Sequence, residues 1–260
     1  MTAAAKLSGK ILLAGHSQAM AAPIRKMAEL VSSGEHGRLA MVHTWHYTDW
    51  LYRPRLPDEL DEGQGGGVVF RQSPHQVDIV RVIAAEPVTS VRAATFDLDP
   101  QRAATGAYTA FLGFASGAAA TLVYSGYGRL DAAELTFGQG RPDIRQARGL
   151  SAAEERALKE ELRVPATAAH PFFGLTVATC QRADLRQSPH GLFVYDDAGR
   201  REIELPANEL RGQAELEELY DAVVHGRPPV HDGRWGQATH EVTLAMLESA
   251  RLGREISLPG

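Results

Sequence analysis

Three consecutive glycines, Gly65-Gly66-Gly67, run straight into Val68-Val69-Phe70-Arg71-Gln72-Ser73-Pro74-His75-Gln76-Val77-Asp78. Lacking a Cβ, glycine takes backbone conformations closed to other residues and lets the chain approach a neighbour or a ligand closely. The apolar rhythm of Val77, Val80 and Ile83 that follows is helical. A flexible turn therefore feeds a helix whose first turns carry a cation, an amide and an imidazole, Arg71, Gln72 and His75. Arg71 and His75 are four apart and share a helix face. The alternative at this point is a helix start with a solvated arginine and a histidine that caps or packs.

Around that stretch lies an ordinary globular composition. The 260 residues are 44% hydrophobic and 23% charged, enough for one large domain or two small ones. No apolar run approaches the roughly 18 residues of a membrane helix, and the amino terminus has no signal-peptide core. A net charge of −5 gives no electrostatic reason to bind nucleic acid or anionic membrane. The single cysteine, Cys180, excludes an internal disulfide and suits a reducing cytoplasm; within the apolar run Leu175 to Cys180 it reads as a buried, inert thiol.

In chain order, Met1 to Ser8 reads as the end of a helix stopped by Gly9, and Lys10 to Ala14 as a short buried strand. Gly15-His16-Ser17-Gln18 follows at its carboxyl end, where open α/β sheets bind ligands. A helix with Ile24, Met27, Ala28 and Val31 on one stripe runs from Pro23 to Gly34, and Arg38 to Tyr47 is rich in strand formers. His43 and His46 on that strand point to opposite faces, so they make no metal pair, and no other cluster has ligand spacing. Asp49 to Pro57 is a proline-stiffened loop carrying Tyr52, Arg53 and Arg55. Arginine suits a bidentate grip on a carboxylate, although exposed arginines beside packed aromatics remain the other reading.

Beyond the central helix, Val88 to Asp97, Ala107 to Phe114 and Ala118 to Tyr124 read as strands, the last two joined by a hairpin turn at Ala115-Ser116-Gly117. Arg141 to Arg163 interrupts them, with Ser151 and Glu154 as a capping box. Phe172 to Thr179, Gly191 to Tyr195 and Glu202 to Leu205 resume the strands. Two helices close the chain, with stripes Leu216, Leu219, Tyr220, Val223 and Val242, Ala245, Met246, Ala250. The pattern predicts an α+β fold: a large, mostly antiparallel open sheet with helices on one face. The other face is left for a second subunit, so a homo-oligomer is expected.

Several stretches resemble the glucose–fructose oxidoreductase/inositol dehydrogenase (Gfo/Idh/MocA) family, over essentially the whole chain. They are Gly34-Glu35-His36-Gly37, Gly65-Gly66-Gly67 with His75 and Asp78, and Gly226-Arg227-Pro228-Pro229. Four more are similar to the branch containing phthalate dihydrodiol dehydrogenase: Trp50-Leu51-Tyr52-Arg53-Pro54-Arg55, Tyr124-Ser125-Gly126-Tyr127-Gly128, Asp184-Leu185-Arg186-Gln187-Ser188-Pro189 and His231-Asp232-Gly233-Arg234-Trp235-Gly236.

The resemblance implies a two-domain oxidoreductase. A Rossmann domain would bind NAD or NADP, and a carboxy-terminal sheet domain would bind substrate and join subunits. Residues 1–20 then correspond to the last helix and strand of the Rossmann domain, and 21–260 to the sheet domain. The family's Gly-x-Gly-x-x-Gly and Glu-Lys-Pro motifs are absent, so the chain is expected to begin after both and to be inactive by itself. By the same resemblance His75 assists proton transfer from a substrate hydroxyl and His16 lines the cofactor side. Arg71 replaces an aspartate common in the family; with Tyr52, Arg53, Arg55 and Gln72 it is a candidate for binding a carboxylated cyclic diol or sugar-like substrate. The competing reading is a non-catalytic sheet domain that binds or assembles.

Overall fold

The computed structural model describes residues 1–53, 55–102, 104–130, 132–137, 151, 153–154, 157, 172–206 and 213–259. Helix α1 (Thr2–Ser8) stops at Gly9 in a left-handed conformation, φ 64°. The segment read as a strand, Lys10 to Ala14, makes only one isolated bridge, Leu13 to Asp232. Without flanking strands its backbone has no ladder to join. Helix α2 (Ala22–Ser33) buries Ile24, Met27 and Leu30 and ends at left-handed Gly34. Strand β1 (Leu39–Tyr47) follows, and helix α3 (Gly67–Ala84) is the stretch that the three glycines open.

Those glycines meet the chain's own backbone. A Cβ on Gly66 would lie 2.6 Å from the Asp61 nitrogen, and Gly67 has φ 77°. Gly66 N–H donates to the Asp61 carbonyl and Val68 N–H to the Thr105 carbonyl. The close approach that glycine permits is therefore to the loop before the helix.

Strands β2 (Val88–Phe96), β3 (Ala107–Phe114) and β4 (Ala119–Ser125) form a meander, with Gly117 left-handed in the β3–β4 turn. Strands β5 (Leu175–Cys180), β6 (Asp184–Ser188), β7 (Gly191–Asp196) and β8 (Gly199–Glu204) form a second meander. Sequence reading passed over β6, whose inward residues are Leu185 and a glutamine. Gln187 is buried because its amide oxygen accepts from Thr176 N–H at 2.7 Å. Ser151 and Glu154 do form the reciprocal capping pair, while most of Arg141 to Arg163 lies outside the described residues. Helices α4 (Gln213–Val224) and α5 (Gly233–Leu252) and strand β9 (Ile256–Ser257) complete the chain.

Among the described residues the sheet has nine strands in the order β8-β7-β6-β5-β1-β4-β3-β2-β9. Only the β1–β4 pair is parallel; the meander β2–β3–β4 returns the chain alongside β1. Helix α2 lies over β6 and β7, α3 over β1, β4 and β3, and α5 over β2 and β9. Val42, Val77, Val80, Ile83, Leu112, Leu122 and Met246 have no exposed surface and form the core between the layers.

The opposite face carries exposed Met41, Trp45, Phe96 and Phe111. Helix α4 differs from the expectation of a packed amphipathic element. Its stripe of Leu216, Leu219, Tyr220 and Val223 is exposed, and only Ala222 is buried. No helix among the described residues is long and apolar enough to cross a membrane.

Candidate active site

Where α3 crosses the sheet, three rings stand side by side. His46 of β1 is in register with Tyr124 of β4, and Tyr124 with Tyr108 of β3. The centroids are 5.4 Å and 5.6 Å apart, the two tyrosines stacked. Both tyrosines are buried, which pushes their phenols well above the ordinary range and keeps them protonated donors.

Their acceptors come from α3. Gln72 and Gln76 are one turn apart and share a face. Gln76 Oε1 accepts from the Tyr108 hydroxyl at 2.6 Å, and its Nε2 donates to the Thr44 carbonyl, the Thr44 hydroxyl and the Val123 carbonyl at 3.1, 3.2 and 3.1 Å. Gln72 Oε1 accepts from the Tyr124 hydroxyl at 3.2 Å.

Phe173 closes the row toward α3, 4.4 Å from the His46 ring and 5.0 Å from His75. Gly174 makes that seat possible. It has φ 71°, and a Cβ there would lie 2.2 Å from the Trp45 carbonyl oxygen. His75 in turn meets His16 edge to face at 6.3 Å. Behind His16 is Asp78, with no exposed surface. Its Oδ1 accepts from Trp235 Nε1 and from the Thr239 hydroxyl, and its Oδ2 stands 3.4 Å from His16 Nδ1. Arg81 stacks on Trp235 at 4.0 Å and lies 3.7 Å from the Asp78 carboxylate.

Arg53, Arg55 and Arg71 each face a carboxylate. Arg53 donates to Asp49 and to the Thr48 hydroxyl. Arg55 lies over the Trp50 ring at 4.1 Å and donates to Glu59 at 3.0 Å and to the Trp50 carbonyl at 3.1 Å. Burial draws the Arg55 guanidinium down from its usual value, against the opposing pull of Glu59. Burial also pushes the Glu59 carboxyl up, but the hydrogen bonds from Leu56 N–H and Arg55 outweigh it and leave the group below its usual value. The charges of Arg53, Arg55 and Asp49 all reach the Tyr124 hydroxyl. Arg71 pairs instead with Asp58 at 3.1 Å in a partly exposed position, and the Tyr52 hydroxyl donates to Asp99 at 2.8 Å.

Of the residues singled out from sequence, the structure gathers His16, His75 and Gln72 around the ring cluster and places Arg53 and Arg55 beside Tyr124. It turns Arg71 and Tyr52 toward acidic partners. Sequence reasoning missed Tyr124, His46 and Phe173 as one wall, and Asp78 as the group behind His16. Asp49–Arg53 and Arg55–Glu59 did carry a signal, opposite charges four residues apart. No group of three or more His, Cys, Asp or Glu among the described residues is arranged to hold a metal.

A dinucleotide needs free backbone N–H groups at a helix start to hold its diphosphate. At the start of α3 the Gly66 and Val68 N–H groups are already bonded, and the Glu62 carboxylate stands at Gly67. The described residues at this helix start do not fit that part of the cofactor.

Residues 24–137 match the family model described as the GFO/IDH/MocA C-terminal domain. The chain is 33% identical to the 1-carboxy-3-chloro-3,4-dihydroxycyclohexa-1,5-diene dehydrogenase of Comamonas testosteroni, over 96% of this chain and 69% of that protein. A crystal structure from Bordetella bronchiseptica RB50, of a protein described as a dehydrogenase, superposes with a TM-score of 0.90 at 35% identity, covering 98% of this chain and 72% of that one. At 18% identity, the WlbA dehydrogenase of Bordetella pertussis, solved with NADH and UDP-GlcNAcA, shares the fold with a TM-score of 0.66, covering 99% of this chain and 66% of that one.

Proposed function

Because the chain belongs to the GFO/IDH/MocA family of NAD(P)-dependent dehydrogenases, we propose that it is the substrate-binding and subunit-joining portion of such an enzyme, acting on a ring CH–OH group of a carboxylated cyclic diol. Residues 1–20 belong with a dinucleotide-binding domain in this reading, and 21–260 form the substrate domain. The observation that carries it is an aromatic wall with the His75–His16 pair against Phe173 and the charges of Arg53 and Arg55 reaching Tyr124. The nicotinamide ring supplies hydride acceptance when bound. This chain's residues hold the substrate ring and move the proton.

His75 exchanges the proton of the reacting hydroxyl, since imidazole changes charge near neutral pH. Phe173 and His46, tilted by 33° with centroids 4.4 Å apart, form an aromatic surface suited to an unsaturated ring, and Tyr124 meets His46 edge-on. A guanidinium has five N–H donors, and the partners of Arg53 and Arg55 among the described residues use only part of each set. The remainder serve a substrate carboxylate. Arg71, held in an exposed ion pair of the kind that contributes little, is the third candidate.

Calorimetry of the chain with 3,4-dihydroxybenzoate and with uncharged catechol tests the proposal, the first probe echoing the ring of the Comamonas testosteroni relative's substrate name. The carboxylated ring should bind at least about tenfold more tightly, a difference of roughly 1.4 kcal/mol. Arg53→Ala or Arg55→Ala should erase that difference. Equal affinity for the two rings refutes the carboxylate assignment.

The exposed Met41, Trp45 and Phe111 support subunit pairing through the open sheet face. Light scattering should show an oligomer at micromolar concentration that Trp45→Glu dissociates; a monomeric wild type rejects the pairing. The lone cysteine supports a cytoplasmic location. The exposed stripe of α4 favours a second reading, an assembly module without catalysis, in which neither ring would bind.

A further inference from the structure

Asp78 is a carboxylate with no exposed surface, and α3 and α5 together hold it in place. Trp235 Nε1 and the Thr239 hydroxyl both donate to Oδ1. Oδ2 is buried and has no hydrogen bond, as is His16 Nδ1, and these two atoms face each other at 3.4 Å. That distance is long for a hydrogen bond, as such contacts often are before a substrate is bound. A buried oxygen that accepts nothing costs free energy, so the arrangement calls for a proton on His16 Nδ1.

The bond at one imidazole nitrogen decides the state of the other. With Nδ1–H committed to Asp78, Nε2 across the ring keeps its lone pair, on a side chain that is 25% exposed and meets His75 edge to face. The site therefore presents two imidazoles, and His16 has the Asp78 carboxylate behind it.

We propose that Asp78 is a positioning residue that fixes His16 as a second acid/base imidazole of the site, with Nε2 taking the proton of one ring hydroxyl while His75 serves its neighbour. The proposal rests on the dehydrogenase reading and replaces the cofactor-side role expected of His16. In the step, the substrate O–H bond breaks, its electron pair stays on the oxygen as an alkoxide, and an Nε2–H bond forms. The resulting imidazolium faces the Asp78 carboxylate. A vicinal diol, with two hydroxyls to engage, is the substrate class such a pair suits.

The test reads the tautomer of His16 in the full chain labelled with 15N-histidine, its signals assigned by their loss in His16→Gln. Long-range 1H–15N spectra should show the proton on Nδ1 and a bare Nε2. In Asp78→Asn an amide can donate to Nδ1, and the proton should move to Nε2, the wrong-tautomer effect known from Asp–His pairs. Trp235→Phe, which leaves Oδ2 untouched, should keep the wild-type tautomer.

A proton on Nε2 in the wild type overturns the proposal, even if Asp78→Asn does not fold. So does a tautomer that Asp78→Asn leaves unchanged. Added 3,4-dihydroxybenzoate should shift both His16 Nε2 and His75, whereas benzoate should leave His16 Nε2 in place. A bound diol that moves His75 alone removes His16 from the chemistry. If no ring ligand binds, the dehydrogenase reading fails and takes the proton-transfer role with it, while the tautomer still decides whether Asp78 positions His16.

Discussion

Gln76 offers the sharpest check on how the wall is held up. It has no exposed surface, yet its amide makes four contacts: one accepted from Tyr108 and three donated across β1 and β4. Gln76→Leu keeps the volume close and removes the amide. The Tyr108 hydroxyl, buried beneath α3, is then left without an acceptor, and the Thr44 hydroxyl loses a donor. A buried orphan of this kind costs about 1–3 kcal/mol. For a chain of this size each kcal/mol lowers Tm by about 2–4 °C, so a drop of about 2–12 °C is expected.

Tyr108→Phe alone should cost a similar amount, because it strands Gln76 Oε1. The double variant removes both partners of the 2.6 Å bond and should cost less than the sum of the singles, by about 1–3 kcal/mol. Urea unfolding followed by circular dichroism supplies the four free energies of the cycle. If the single costs add to within about 0.5 kcal/mol, the two groups do not interact and the described network is wrong.

The chain by itself should bind NAD or NADH negligibly, because the start of α3 offers no free cradle for the diphosphate; micromolar binding by calorimetry rejects this. Gly174→Ala places a Cβ against the Trp45 carbonyl at a left-handed φ, so it should cost about 1–3 kcal/mol and shift the His46 ring resonances as Phe173 moves; unchanged stability and spectra reject the seat assigned to Phe173. Burial raises the Tyr108 and Tyr124 phenols above the unfolded value of about 10, so their stabilising contribution is complete below that pH and is lost as pH rises beyond it. Phenolate absorbance from these two should therefore appear only together with unfolding; ionisation of all seven tyrosines with the fold intact contradicts it.

Elements whose alternation or 3.6-residue rhythm follows burial were readable from sequence. Strands β2, β3 and β4 fall within a residue of their expected bounds, because their inward positions are almost all apolar. Strand β6 was not readable, because a glutamine occupies an inward position and is satisfied by a backbone N–H eleven residues earlier. The stripe on α4 was read correctly as a pattern, but a pattern does not say what covers it, and among the described residues it stays exposed.

At the site, the helix bearing His75 was legible because turn, glycine and periodicity agree. The contact between Asp78 and His16 was not. It depends on Trp235 and Thr239, which reach α3 only through the packing of α5, and no local rule links positions so far apart. The acidic partners of Arg53 and Arg55 lay within one helical turn and were within reach of charge-spacing rules. Asp58, opposite Arg71, was not.

The placement of β1 has a kinetic consequence. It is among the first elements synthesised, yet Met41 finds its partner at Ala119 and Thr44 its other partner at Thr176. A strand that must wait for two late neighbours folds slowly, since distant pairing requires large loops to close before any contact rewards them. Until then β1 presents two unpaired edges bearing Trp45 and Met41, the kind of surface on which growing chains aggregate. Phe173 reaches His46 only when β5 docks, so the aromatic wall should be among the last parts of the molecule to form. Stopped-flow refolding followed by hydrogen-exchange labelling should find β2–β4 protected before β1.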